Sequence, residues 1–296
     1  MVDSARVVVN LEEIDHEDKH LVGEHAAHIG GLKSINVSVP AGFVITPSAY
    51  FNFLSHNNLN TKIGHLLGSI DFRSESSVSQ VAKHIKSLIT SSEIPQDLLN
   101  EIFSEYKKLG EGKVSVHTSI ISGDLEQNNF PREYSFEQIE GDAVLAEILR
   151  ELWASLFDIP LINYRSKKNI DHLKTGITAT VKKSASGGGS GKIYTVDPFL
   201  LNKGKMIVEI DGHNHHLVVD KKDKTTTKRR DHRKPTIYVK DGAVVLPPSI
   251  GDFEELIKFA QDIENYFYFP QEITWVQNNG KYQILAVKPI NLYGNN

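Results

Sequence analysis

The chain reads as a mixed α/β protein of two lobes, and three observations carry that reading. Before about residue 180, short β-branched runs alternate with long amphipathic segments, the pattern of strands laid against helices. From Lys205 the character changes to short strands, MIVEI and HLVVD among them, parted by charged or glycine turns. A length of 296 residues, 40% hydrophobic and 24% charged, is enough to bury a substantial core. The lobe boundary is placed near residue 180, giving an N-terminal lobe 1–180 and a β-rich C-terminal lobe 181–296 of the same unit.

Taken in order, Val7–Leu11 is a short strand and Ile14–Lys19 a polar lead into a turn at Val22-Gly23. His25–Leu32 has helical character, with Gly30-Gly31 expected to stop it. Ser38–Thr46 is a strand entered through Pro40. Thr46-Pro47 then opens a helix, since threonine caps well and proline fits the first turn. Leu59–Gly110 is helical, with breaks at Ser74–Ser77 and Pro95. Lys113–Ile121 alternates with period two and is a strand; residues 125–141 are expected to be irregular. Asp142–Arg165 is an amphipathic helix pair divided at Pro160, and Thr175–Lys183 a further strand. Further on, the runs TIYVK and AVVL are short strands, Asp252–Tyr266 is a helix, and Gln271–Val276 with Tyr282–Val287 flank the hairpin signal Asn278-Asn279-Gly280.

Bulk chemistry excludes several classes. A net charge of −4 and a pI of about 6.4 give no global attraction to nucleic acid or anionic membrane. The absence of cysteine removes disulfides, thiolate metal sites and cysteine nucleophiles. MVDSARVVVNLEEID lacks the pattern of a secretory signal, and no apolar run is long enough to span a bilayer, so a cytoplasmic location is expected.

The motif that organises the chain is Leu21–Thr46, LVGEHAAHIGGLKSINVSVPAGFVIT. It closely resembles the opening signature of the nucleotide-binding domain of phosphoenolpyruvate synthase and pyruvate phosphate dikinase, whose V-P-x-G-F-V-I-T segment stands intact from Val39 to Thr46. Three more ordered blocks are similar to that family. They are WASLF at Trp153–Phe157 with Ile162, Tyr164-Arg165 and Asp171-His172; KIYTVDP at Lys192–Pro198 against G-V-M-F-T-x-D-P; and Gln271–Trp275 with Ile284–Pro289 against P-Q-D-I-E-W and I-L-Q-A-R-P. The resemblance covers nearly the whole chain and implies a two-lobed ATP-grasp fold.

The same resemblance defines the candidate site. Phosphate transfer from ATP needs cations on the phosphates and oxygen ligands for Mg²⁺. Where the family carries a lysine in the first turn and an arginine in a V-R-S-S strand, this chain has His25 and His117. Its I-E-W glutamate and the glutamine and arginine of L-Q-A-R-P correspond to Thr274, Ala286 and Lys288. Asp124 and Glu209 match acidic family positions. The cofactor-binding candidates are therefore His25, His117, Asp124, Glu209 and Lys288. No residue is assigned a catalytic role, although His117 and Lys288 hold the family's two arginine positions. No metal set is assigned, because Thr274 and Ala286 replace the family's ligands. Neutral histidine offers a single donor and no charge, and alanine ligates nothing.

ATP is the expected ligand, with Mg²⁺ ligation largely lost. The family's carrier and barrel domains do not follow Asn296, so transfer to pyruvate is expected to need a separate acceptor protein. The leading expectation is a catalytically degenerate ATP-grasp-like domain acting as a binding, regulatory or scaffold protein for a protein partner. The alternative is an active ATP-dependent phosphotransferase working with separate phosphohistidine and pyruvate/phosphoenolpyruvate domains.

Other signals favour plain readings. SGGGSGK at Ser186–Lys192 fails the Walker pattern at Ser186 and Ile193, leaving a β-hairpin turn ahead of a mobile phosphate-covering loop. His213, His215 and His216 beside Asp211 suit a solvated turn better than a metal site. Lys221–Lys234 carries eight basic residues and two acids, but lacks interleaved aromatics; an exposed charged loop is favoured over a nucleic-acid contact. His25 and His117 would together hold an anion only when protonated, against the simpler alternative of drift.

Overall fold

A computed structural model of the chain describes residues 5–110, 112–122, 130, 134–184, 189–212, 216–222, 226–231, 234–235, 253–278 and 280–290. The chain divides into two compact units, Met1–Gly30 with Ala41–Ser184, and Gly31–Pro40 with Ala185–Asn296. Both are mixed α/β, each with one antiparallel sheet, as an ATP-grasp-like fold requires.

In the first unit the elements are β1 (Val8–Asn10), α1 (Lys19–Val22), α2 (Glu24–Leu32), β2 (Gly42–Ile45), α3 (Pro47–His56), α4 (Leu59–Gly68), α5 (Glu75–Thr90), α6 (Gln96–Lys108), β3 (Val114–Ser122), β4 (Ser135–Ile139), α7 (Asp142–Ser155), α8 (Ile159–Lys168) and β5 (Thr175–Lys183). Its sheet runs β1-β2-β5-β3-β4. The alternation in β5 sends Ile177, Ala179 and Val181 into the core, with Val114, Val116 and Ile120 of β3 beside them. Helices α3 to α7 supply the other side of that core, where the Trp153 ring lies 4.6 Å from Phe53 and 6.3 Å from Tyr50. Burying an apolar side chain of the size of Phe53 contributes about 1.5–3 kcal/mol. WASLF is thus a packing block.

Local expectations were altered by tertiary contacts. Gly30-Gly31 does not stop α2, which runs on to Leu32. Gly30 instead lets Ile14 approach, since a Cβ there would lie 2.7 Å from the Ile14 carbonyl oxygen. Thr46 precedes α3 as expected, yet its hydroxyl donates to the Arg6 carbonyl oxygen at 2.6 Å and makes no capping bond. Ser74 does cap α5, accepting from the Ser77 amide at 3.3 Å. The strand expected at Ser38–Thr46 narrows to β2, and β4 occupies part of the stretch expected to be irregular.

The second unit contains β6 (Gly189–Tyr194), β7 (Lys205–Ile210), β8 (His216–Asp220), β9 (Thr226–Asp231), β10 (Lys234–Pro235), α9 (Glu254–Phe267), β11 (Gln271–Asn278) and β12 (Lys281–Pro289). The sheet order is β10-β9-β8-β7-β6-β11-β12. Trp275, Tyr282 and Phe253 form its aromatic centre, with Trp275 and Tyr282 ring centroids 5.5 Å apart. Leu256, Ile257, Phe259, Ala260 and Ile263 of α9 are buried, as the helical spacing requires. The segment Gly31–Pro40 belongs here, and the Ser38 carbonyl oxygen accepts from the Ile284 amide at 2.8 Å.

Two loop expectations are corrected. Lys221–Lys234 is not simply a charged loop, because β9 lies within it and pairs with β8. The segment after Lys183 is not a hairpin turn, since β5 and β6 belong to different sheets. The runs TIYVK and AVVL, and His213 and His215, lie outside the described residues. Among the described residues, no helix is long and apolar enough to cross a membrane.

Candidate functional site

The first cluster lies on the face of the β3–β5 pair opposite the core. Because Val114, Val116 and Ile120 point one way on β3, Ser115, His117 and Ser119 point the other. Across the ladder Ser115 pairs with Lys182, His117 with Thr180 and Ser119 with Thr178, which makes a polar array two strands wide. Gly23 seats the start of α2 on this array. Its φ of +83° favours glycine, and a Cβ would fall 2.4 Å from Ser119 Cβ and 3.2 Å from Thr178 Oγ1.

That close approach carries His25 to the sheet. His25 Nε2 lies 3.0 Å from Lys182 Nζ, and the His25 and His117 ring centroids are 4.9 Å apart. On the far side, His117 Nε2 is 3.6 Å from Glu137 Oε1 of β4. Lys182 is 1% exposed. Burial pushes its pKa down to about 7 from 10.5, with Glu137 opposing the shift. His25 and His117 are both partly exposed, whereas Lys182 is buried.

A second polar row crosses the sheet of the other unit. Ala286 pairs with Thr274, Thr274 with Lys192, Lys192 with Glu209, and Glu209 with His216. Directly opposed residues in antiparallel strands share a face, so all five belong to one side of the sheet. Glu209 Oε2 accepts from the Tyr194 hydroxyl at 3.2 Å, and its Oε1 lies 3.2 Å from His216 Nδ1. Burial, then the charges of Glu209 and Glu272, push the Tyr194 pKa up and keep it a neutral donor. The Lys192 ammonium donates to Glu272 at 2.6 Å. Lys288 is the cross-strand partner of Glu272 and is exposed.

Of the residues singled out from sequence, His25 and His117 meet, and Glu209, Thr274 and Ala286 share one row, with Lys288 in the adjoining position. Asp124 lies outside the described residues. Two neighbours went unrecognised. Lys182 continues the polar alternation Thr178, Thr180, Lys182 on a strand whose other face is apolar, and that alternation was the available signal. Lys192 stands in the sequence as a failed Walker lysine and as the first residue of KIYTVDP, whereas its place in the row follows from strand register. Among the described residues, no group of three or more histidine and carboxylate side chains is arranged to hold a metal ion.

Comparisons with known proteins place the chain in a family. The family described as "Pyruvate phosphate dikinase, AMP/ATP-binding domain" matches residues 19–296. The chain is similar to a probable phosphoenolpyruvate synthase of Methanocaldococcus jannaschii, 27% identical over 97% of this chain and 27% of the relative. A probable phosphoenolpyruvate synthase of Methanothermobacter thermautotrophicus is 26% identical over 98% of this chain and 46% of its own length. A rifampicin phosphotransferase of Bacillus cereus is 24% identical over 96% and 36% respectively. The chain thus spans between about a quarter and half the length of these relatives. With its two antiparallel sheets and a match running from residue 19 to residue 296, the chain belongs to the pyruvate phosphate dikinase AMP/ATP-binding domain family.

Proposed function

We propose that this domain binds a nucleotide without carrying out phosphate transfer, serving as a binding or regulatory module that acts on a protein partner. The observation that carries the proposal is the Thr274–Ala286 pair of the β11–β12 ladder. The family resemblance calls for a glutamate and a glutamine at these two positions, side by side, as oxygen ligands for magnesium. Here the pair offers one hydroxyl and one methyl group.

Lys192 strengthens the argument, since it stands next to Thr274 in the same row and pairs with Glu272. A divalent cation entering the row would meet an ammonium beside it, and like charges in contact cost several-fold more in a partly desolvated setting than in water. Glu209, the acidic residue left in the row, is already engaged by Tyr194 and His216. These residues do not fit magnesium, and no step is assigned to it. In the first unit His25, His117 and Lys182 act by binding anionic groups; the second unit, taken by itself, offers Glu209 and Lys288 as polar groups.

Calorimetric titration of ATP in EDTA and in excess magnesium tests this reading, together with an assay for conversion of ATP to AMP and phosphate. Binding in EDTA with no turnover is expected. Magnesium-dependent turnover in the presence of pyruvate, or of a separate histidine-bearing carrier protein, would overturn it in favour of an active phosphotransferase.

A further inference from the structure

We infer that the end of the second sheet where β6 closes and β11 begins is a docking surface for a second copy of this chain, patch against patch across a two-fold axis. Two apolar tips come together there. One is Phe199-Leu200-Leu201, which follows β6; the other is Tyr268-Phe269, which leads from α9 into β11. Strand register brings them to the same end of the sheet. Tyr194 pairs with Glu272, the Thr195 amide donates to the Gln271 carbonyl oxygen at 2.9 Å, and the Gln271 amide donates to Thr195 Oγ1 at 2.8 Å. Leu200 is 52% exposed, Leu201 61%, Tyr268 93% and Phe269 46%.

Both tips are held in place by their backbones. Asp197 and Asn202 exchange backbone hydrogen bonds at 3.0 and 3.2 Å, and Asp197 Oδ1 accepts from the Phe199 and Leu200 amides at 3.0 Å. The Phe269 carbonyl oxygen accepts from Gln271 Nε2 at 3.0 Å, and that of Pro270 from the Ile290 amide at 2.8 Å. Apolar surface pinned in this way loses little freedom on association, which lowers the cost of docking. Leu201 and Tyr268 each have a φ of +54°, a left-handed backbone uncommon for bulky residues. Tyr268 caps the C-terminus of α9, where glycine or asparagine would take that φ without the apolar surface. Strain of this kind collects at binding surfaces.

The occupant follows from charge and area. Residues 198–202 and 265–271 contain no charged side chain, as the cores of interfaces do. A tip without charge offers no electrostatic complement to a partner of opposite sign. It is complementary to itself, which is the condition for a contact between identical patches. With Phe199 included, the two tips leave on the order of 500 Å² of apolar surface uncovered, taking about 150–250 Å² for each whole side chain. That is more than half of the about 800 Å² each partner gives to a stable interface. The contact goes beyond the nucleotide reading and is independent of it.

Sedimentation equilibrium of the full chain tests it. Between about 1 and about 100 µM the mass is expected to rise from one chain to two. The double variant L201N with Y268N removes apolar surface from both tips, and asparagine accepts a left-handed φ more readily than leucine or tyrosine. It should melt no lower than the parent by circular dichroism, yet dimerise about tenfold or more weakly. Should it not fold, L200S, expected to weaken the dimer in the same direction, takes its place. V144N, at an exposed apolar position of the first unit, should dimerise as the parent does. A single-chain mass at every concentration overturns the inference and favours a different occupant. Growth beyond two chains, or a folded L201N/Y268N variant that dimerises as well as the parent, overturns it too.

Discussion

The Arg165 guanidinium donates through Nε to Nδ1 of His172 at 2.9 Å, and through Nη2 to the Leu156 carbonyl oxygen. Arg165 is fully buried, with its charge 5.7 Å from the centre of the Phe157 ring. The Tyr164-Arg165 and Asp171-His172 motifs, with WASLF, therefore owe part of their form to a buried polar clamp, and Trp153 and Phe157 to the core around it. Burial pulls the Arg165 pKa down to about 10 and that of His172 to about 4, the latter helped by the neighbouring cation.

The pH dependence follows from that neutral histidine. Its folded pKa of about 4 lies below the ordinary 6.5, so the unfolded chain binds the extra proton first. The stability it contributes is complete above pH 6.5 and drains away as pH falls toward 4. Urea midpoints measured across this window should fall with pH, and H172N, whose amide oxygen still accepts from Arg165, should flatten the slope. An unchanged slope would refute the assignment.

Removing the clamp's donor should be costly. R165A leaves His172 Nδ1 and the Leu156 carbonyl without this donor and opens a cavity, so a loss of about 3–5 kcal/mol is expected. R165M, which fills the space, should lose less. Equilibrium urea unfolding ranks them.

Lys182 gives the opposite kind of variant, one that stabilises. Its folded pKa of about 7 lies well below 10.5, so the cost of burying its charge is fully present below pH 7 and disappears by pH 10.5. In buffers free of multivalent anions, K182M should be more stable than the parent at pH 6, by an amount that shrinks as pH rises. Parallel stability curves for the two proteins would contradict the depressed pKa.

Gly23 positions the whole first cluster. G23A forces a left-handed φ on alanine and drives its methyl to 2.4 Å from Ser119 Cβ, so destabilisation of about 2 kcal/mol or more is expected. S119G, added to it, should recover only part of the loss, because the backbone strain at position 23 persists. Thermal melts of the single and double variants separate the two contributions.

The row in the second unit predicts a gain of function that depends on a third residue. T274E with A286Q restores the oxygen pair, but Lys192 lies next to position 274 and would neutralise the new carboxylate. Adding K192M should be required before ATP binding becomes magnesium-dependent, with titrations in EDTA as the comparison. Magnesium dependence in the double variant alone would show that Lys192 has no such effect.

What the sequence determined by itself was the family and the framework. V-P-A-G-F-V-I-T ends in β2, the alternation of Thr175–Lys183 is β5 from end to end, and the breaks at Ser74 and Pro95 delimit α5 and α6. These are local signals, set by periodicity, proline geometry and capping, and they survive because packing agrees with them. The resemblance also singled out His25, His117, Thr274 and Ala286 as departures from the family's pattern. Only the tertiary structure decided what stands beside them. Lys182 is 157 residues from His25, and Lys192 reaches the row of Thr274 through strand register, a relation that no linear spacing encodes. Gly31–Pro40 packs with the second unit through bonds such as Ser38 to Ile284, although it lies early in the chain. Side-chain charge is written in sequence, but the burial that lowers an amine's pKa, and the partner that shares its proton, exist only once the strands are laid side by side.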